Sequence, residues 1–179
     1  MKRESCHASN PNQTVVGFTR NDILSLLGWI GLVMVVMLLG GLATFSSVET
    51  WYQTLNKPSF NPPNWIFGPV WTALYLMMGI AAWLVGRCAK EGERERVQVR
   101  SFTVMFLVQL ALNLGWSFVL FGLRSPGWGL LEICLLWIAI AVTPVMAWRL
   151  QRVAAALLLP YLAWTSFATV LNAAIFRLN

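Results

Sequence analysis

Two stretches of this sequence carry side chains whose types and spacing could bind a ligand or take part in a reaction. Gln109, Asn113 and Trp116 fall at i, i+4 and i+7, which puts two amides and an indole on one face of a helix. Trp164, Ala168 and Asn172 repeat the arrangement, with the alanine leaving a gap between two larger groups. Both stretches are otherwise apolar, so these amides have no water to satisfy them and must find partners inside the protein. Two chemistries fit. The amides can join helices by hydrogen bonds, or they can share a pocket with indoles and hold a flat aromatic ligand by stacking and N–H donation.

The other tryptophans divide by depth. Trp71, Trp116, Trp137 and Trp164 lie well inside apolar runs, where an indole N–H needs an acceptor. Trp29, Trp83, Trp128 and Trp148 lie near the ends of such runs, where aromatic belts are expected at membrane interfaces. Glu132, about a turn inside a run, either reaches back to the interface or meets Arg124. Ala111 and Gly115 form a small-xxx-small pattern suited to close helix packing within the chain or between two chains. No phosphate-binding loop, nucleophile–base pair or carboxylate pair occurs inside the apolar runs, which disfavours conventional hydrolysis and phosphoryl transfer. The single histidine, His7, lies in a polar leader, and Cys6, Cys88 and Cys134 form no CxxC pair, so no metal site is expected.

The elements that must position these residues follow from composition. The chain is 58% hydrophobic and 11% charged, outside the range of soluble globular domains. A polar tail over residues 1–22 precedes apolar segments at about 23–45, 65–88, 102–123, 128–148 and 154–176. At about 1.5 Å per residue each is long enough to cross a hydrocarbon core of roughly 30 Å. The expected fold is an all-α integral membrane protein, a five-transmembrane-helix bundle occupying residues 23–179. Between the first two segments lies a stiff aromatic loop holding Pro58, Pro62 and Pro63; Pro69 falls in the first turn of the segment that follows. The charge run at 87–96 reads as a solvated connector, and Pro144 as a kink.

Five crossings put the termini on opposite sides, so basic residues can be counted by side. Lys2, Arg3, Arg20, Arg87, Lys90, Arg94, Arg96, Arg100, Arg149 and Arg152 fall on the side of the N-terminus, and Lys57, Arg124 and Arg177 on the other. That imbalance predicts a cytoplasmic N-terminus in a bacterial plasma membrane, with the proline-rich loop facing outward. It also accounts for the net charge of +6 without a nucleic-acid partner.

Residues from about 40 onward resemble the TspO and translocator-protein family, also called tryptophan-rich sensory proteins and related to the peripheral benzodiazepine receptor. The resemblance rests on WYxxLxKPxFxPPxWxFGPVWTxLYxxMG over 51–79, QLxLNxxWSxxxFGL over 109–123 and LPYLxWxxFAxxLN over 159–172. It implies a five-helix bundle, often a homodimer, whose first loop covers a pocket for porphyrin-type tetrapyrroles such as protoporphyrin. In some members it also implies sterols or benzodiazepine-type drugs as ligands. Carried over by motif, the ligand-binding residues are Tyr52, Trp71, Asn113, Trp116, Trp164 and Ala168. No cofactor is required. The sterol pattern near the end of the last helix needs a tyrosine, and the run at 171–177 has none, which puts that mode of sterol binding in doubt.

Three functions follow from this reading. The first is a membrane receptor or transporter-like protein that binds porphyrins in a stress-sensing or regulatory role. The second is an enzyme degrading protoporphyrin under light, with Trp71 and Trp164 as redox-active partners. The third is a dimeric membrane scaffold whose amides only join helices.

Overall fold

The computed structural model describes residues 19–179. These residues form α1 (Arg20–Glu49), a short α2 (Trp51–Thr54), α3 (Asn64–Arg87), α4 (Glu93–Ser117), α5 (Pro126–Trp148) and α6 (Arg152–Leu178). A single 3-10 turn (Cys88–Lys90) follows α3 and a π turn (Phe118–Gly122) follows α4. Among the described residues there is no strand, and five helices are long and apolar enough to cross a membrane. α1 packs on α3 and α4, α3 on α6, and α5 lies between α4 and α6, so the five long helices close a ring.

Each boundary has a local cause. α1 begins ahead of residue 23 because Thr19 caps it: the Thr19 hydroxyl accepts from the Asp22 N–H, and the Asp22 carboxylate accepts from the Thr19 N–H and hydroxyl. The remainder of the expected tail, residues 1–18, lies outside the described residues. α4 begins well ahead of residue 102, so the second half of the expected connector is helical. Glu93 and Glu95 stand in its first turn, where carboxylates complement the exposed N–H groups, and Arg96 pairs with Glu93 at 3.3 Å. The loop expected to be wholly non-helical contains α2. Pro69 lies deeper in α3 than its first turn, because the helix already starts at Asn64 behind the extended Pro63.

Packing between helices is close where side chains are small. A Cβ on Gly79 would stand 2.7 Å from Ile30 Cδ1 and 3.4 Å from the Ile30 backbone, so glycine sets the approach of α1 to α3. Gly115 does the same for α4 and α5, where a Cβ would meet Glu132 Oε1 at 3.3 Å; Ala111 faces outward. On the side where α1 begins, Asp22 binds the Lys90 ammonium at 2.9 Å, and the Trp83 indole donates to the Asp22 carbonyl at 3.0 Å. Trp83 is therefore buried rather than part of an exposed belt. Below it, Phe102 stacks on Phe106, which meets Trp29 edge-on.

Candidate functional site

Toward the opposite side a polar and aromatic cluster, a chamber only in the sense of its lining side chains, packs between α3, α4 and α6. Asn113 lies at its centre and is buried. Its amide oxygen accepts from the Tyr75 hydroxyl at 2.5 Å, and its amide nitrogen donates to the Tyr161 hydroxyl at 2.8 Å. One residue thus ties three helices together, and every polar atom of its side chain that can reach a partner does so. Trp71 lies against this chain, its ring 5.9 Å from Tyr75, 6.2 Å from Tyr161 and 6.5 Å from Trp116.

Trp116 continues the cluster toward the first loop. Its ring meets Phe121 edge-on at 6.0 Å, and Phe121 meets Tyr52 at 5.8 Å. Phe121 belongs to the π turn. A π turn carries an extra residue per turn and releases carbonyls from the helical ladder; here Ser47 of α1 donates to the freed Phe121 carbonyl at 2.7 Å. Tyr52 is buried and its hydroxyl donates to the Asn61 side-chain oxygen at 2.8 Å, latching the short α2 to the proline-rich segment. Burial pushes the Tyr52 phenol up to about 12, and Lys57 lies over its ring at 5.1 Å. Asn56 pins the same loop to the end of α6, donating its backbone N–H to Asn179 at 3.0 Å and accepting from the Asn179 amide at 3.1 Å.

Trp164 stands in a second aromatic group, edge-on to Phe67 at 5.9 Å and tilted on Phe167 at 5.4 Å, with Phe60 of the loop beyond. The two groups share a seam. Phe67 and Trp71 are a turn apart on α3, as Tyr161 and Trp164 are on α6. Ala168 is buried one turn further along α6.

Of the six residues carried over by motif, Trp71, Asn113 and Trp116 therefore meet in one cluster and Tyr52 reaches it through Phe121. Trp164 joins along the α3–α6 seam, and no ring or polar contact engages Ala168. The polar faces read from spacing do not form as one unit. Gln109 is oriented away from the chamber, its amide oxygen 3.5 Å from the Thr143 hydroxyl, and Asn172 donates to the Pro126 carbonyl at 2.8 Å. Glu132 pairs with neither Arg124 nor any other cation among the described residues and lies against Gly115. Trp137 has the acceptor its depth demands, Ser166 Oγ at 2.7 Å.

The chamber contains two donors without acceptors. The indole N–H groups of Trp116 and Trp164 are buried, and neither is hydrogen-bonded. A buried donor left unmade costs about 1–3 kcal/mol; the Gln109 amide nitrogen, outside this cluster, is a third such donor, and Glu132 and Asn172 each keep one buried oxygen without a partner. Tyr75, Tyr161, Phe67 and Phe121 complete the chamber and were not singled out from sequence. The tyrosines carried a usable signal, since each lies a helical turn from a deep tryptophan. A groove of about 600 Å³ and another of about 330 Å³ lie elsewhere, and none of the six residues lines either. Among the described residues, no group of three His, Cys, Asp or Glu side chains could hold a metal ion.

The fold and chamber define a multi-pass helical membrane protein with a tryptophan-rich interior under a pinned loop. Residues 29–178 match the sequence model of the TspO/MBR family, and the chain belongs to that family. It is 46% identical over 159 residues to the tryptophan-rich protein TspO of Chlorobaculum tepidum, covering 88% of this chain and 98% of that protein. It is 42% identical over 158 residues to the tryptophan-rich protein TspO of Archaeoglobus fulgidus, covering 88% and 99%. To the human translocator protein it is 42% identical over 129 residues, covering 72% of this chain and 75% of that one.

Proposed function

We propose that the chain binds a porphyrin-type tetrapyrrole such as protoporphyrin in this chamber, in a sensing or transport role. The observation that carries the reading is the pair of unsatisfied indole donors, Trp116 beside the ring of Trp71 and Trp164 beside the ring of Phe67. A flat macrocycle offers faces for the indole and phenol rings to stack on and carboxylates to accept the two N–H groups. Tyr52 and Asn61 hold the loop over this cluster, and Ala168 puts only a methyl group on the α6 side. Ligand entry then requires the Tyr52–Asn61 latch to open. Orientation with the N-terminus in the cytoplasm of a bacterial plasma membrane, and assembly as a homodimer, belong to the same reading.

A dark titration with protoporphyrin, followed by tryptophan quenching, tests it. Saturable quenching in the wild type is expected, weakened about fivefold in Trp164→Phe by loss of one donor and unchanged in Trp137→Phe. Equal affinity in all three proteins, or no saturable quenching, removes this chamber as the site.

A second reading, breakdown of the bound porphyrin under light, gains support from one feature. The oxidisable rings of Trp71 and Trp116 lie with centroids 6.5 Å apart, a spacing suited to electron exchange between them. Illuminating the titrated sample separates the two: product formation lost in Trp71→Phe while binding persists favours turnover.

A further inference from the structure

The groove of about 600 Å³ has no part in the chamber and calls for its own explanation. It opens on the loop side of the bundle, between the short α2, the start of α5 and the end of α6. Trp51, Leu55, Trp128, Leu131 and Phe176 give it an apolar and aromatic wall, and Arg124 is the one charged side chain lining it. Trp128, Leu131 and Phe176 are exposed, so this wall faces the surrounding membrane.

Arg124 is held there in an unusual way. Its φ of 54° is the left-handed conformation, in which a side chain costs about 1–2 kcal/mol and which helix ends usually give to glycine. It is the one non-glycine residue with positive φ among the described residues. Its guanidinium takes part in neither of the two ion pairs among those residues and makes no hydrogen bond. No Asp or Glu lines the groove, while the Asn179 amide at its edge is engaged with Asn56 and the Ile175 carbonyl. The guanidinium therefore has no carboxylate at ion-pair distance and stands beside a lipid-facing apolar wall, at the height where headgroups lie. Ser125 makes no side-chain cap on α5, so the first N–H groups of that helix add to the same positive field.

We propose that this groove holds an anionic phospholipid of the loop-side leaflet, with its phosphate on Arg124 and an acyl chain along Leu131 and Phe176. Charge complementarity selects the headgroup and the apolar wall selects a lipid over a soluble anion. Arg suits the role because its planar fork can bind two phosphate oxygens at once. Trp51 and Trp128 flank the headgroup level, where indoles favour the interface. The inference stands apart from the tetrapyrrole reading, because no residue is shared between the two sites.

The test uses full-length protein taken from nanodiscs holding equal amounts of dioleoyl phosphatidylglycerol and dioleoyl phosphatidylcholine, with retained lipids counted by native mass spectrometry. Wild type retains the anionic lipid in preference, with about fivefold of that preference due to Arg124, the effect of one cation near a membrane surface. Arg124→Gln lowers the wild-type preference about fivefold, and the lipid retained on the loop side loses its selectivity, whereas Arg149→Gln, on the opposite membrane side, leaves the Arg124 contribution in place. Leu131→Gln keeps the charge and lowers retention of both lipids, which guards against an Arg124 variant that fails to fold. Absence of preference in the wild type, or the same preference in Arg124→Gln, overturns the proposal. Release of the bound lipid by millimolar inorganic phosphate would assign Arg124 to a free anion and overturn it as well.

Discussion

Replacing Asn113 by leucine tests the polar centre of the chamber. Leucine keeps the heavy-atom count and branching of asparagine with somewhat more bulk, while the Tyr75 hydroxyl loses its acceptor and the Tyr161 hydroxyl its donor. All three side chains are buried, with Asn113 2% exposed and Tyr161 fully enclosed, so water cannot substitute. Hydrogen bonds between membrane helices average about 0.6 kcal/mol and reach about 1.7, whereas an unsatisfied buried hydroxyl costs about 1–3 kcal/mol. Loss of two bonds with one stranded donor therefore predicts about 1–3 kcal/mol of destabilisation, measured by unfolding in mixed detergent micelles. The triple variant Tyr75→Phe, Asn113→Leu, Tyr161→Phe removes every group that the single change strands. It should recover most of the loss, because removing both sides of a buried bond is far cheaper than removing one. A single variant within about 0.3 kcal/mol of wild type, or a triple variant that adds the three costs, would refute the view that Asn113 joins the helices through these tyrosines.

Other changes follow from the same geometry. Gly79→Val should destabilise by about 1–3 kcal/mol in the same unfolding assay, since its Cβ alone would press on Ile30; a neutral result would mean that α1 and α3 can move apart freely. Tyr52 should remain un-ionised up to about 12, against about 10 for a free phenol. Its contribution to loop closure is then complete below pH 10 and falls as pH rises toward 12, because the unfolded phenol ionises first. Tyrosinate absorbance compared between wild type and Tyr52→Phe reads this directly, and a difference titrating near 10 would contradict it. Asn179→Ala removes the side-chain amide that pins the Asn56 backbone to the end of α6 and should speed protease cleavage within residues 50–63 several-fold without lowering global stability by more than about 1 kcal/mol.

How much was legible beforehand depended on whether the signal was periodic. The five spans could be found because apolar runs of membrane length stand out against loops rich in proline and charge. Their ends were misjudged where local chemistry, not hydropathy, decides: the Thr19 capping box extends α1, and acidic residues in the first turn carry α4 through the charge run. Asn113, Trp71 and Trp116 were found from depth and spacing. Gln109 shares the face of Asn113 by helical arithmetic, yet its position a turn away turns it toward Thr143 on α5. Tyr75 and Tyr161 escaped notice because a tyrosine in an apolar run looks like an interface residue until its hydroxyl is seen meeting an amide. The π turn left no mark that a single sequence can display, although it brings Phe121 between Trp116 and Tyr52.

The central claim is that the chamber's unsatisfied indoles await an acceptor on a bound ligand. The most direct measurement is nuclear magnetic resonance of indole N–H groups in protein carrying nitrogen-15 tryptophan, recorded in the dark while protoporphyrin is added, with resonances assigned by single Trp→Phe changes. The account predicts that the Trp116 and Trp164 signals move downfield on binding, while those of Trp83 and Trp137, already bonded to the Asp22 carbonyl and Ser166, stay in place. Movement of Trp83 and Trp137 with Trp116 and Trp164 unchanged would contradict it.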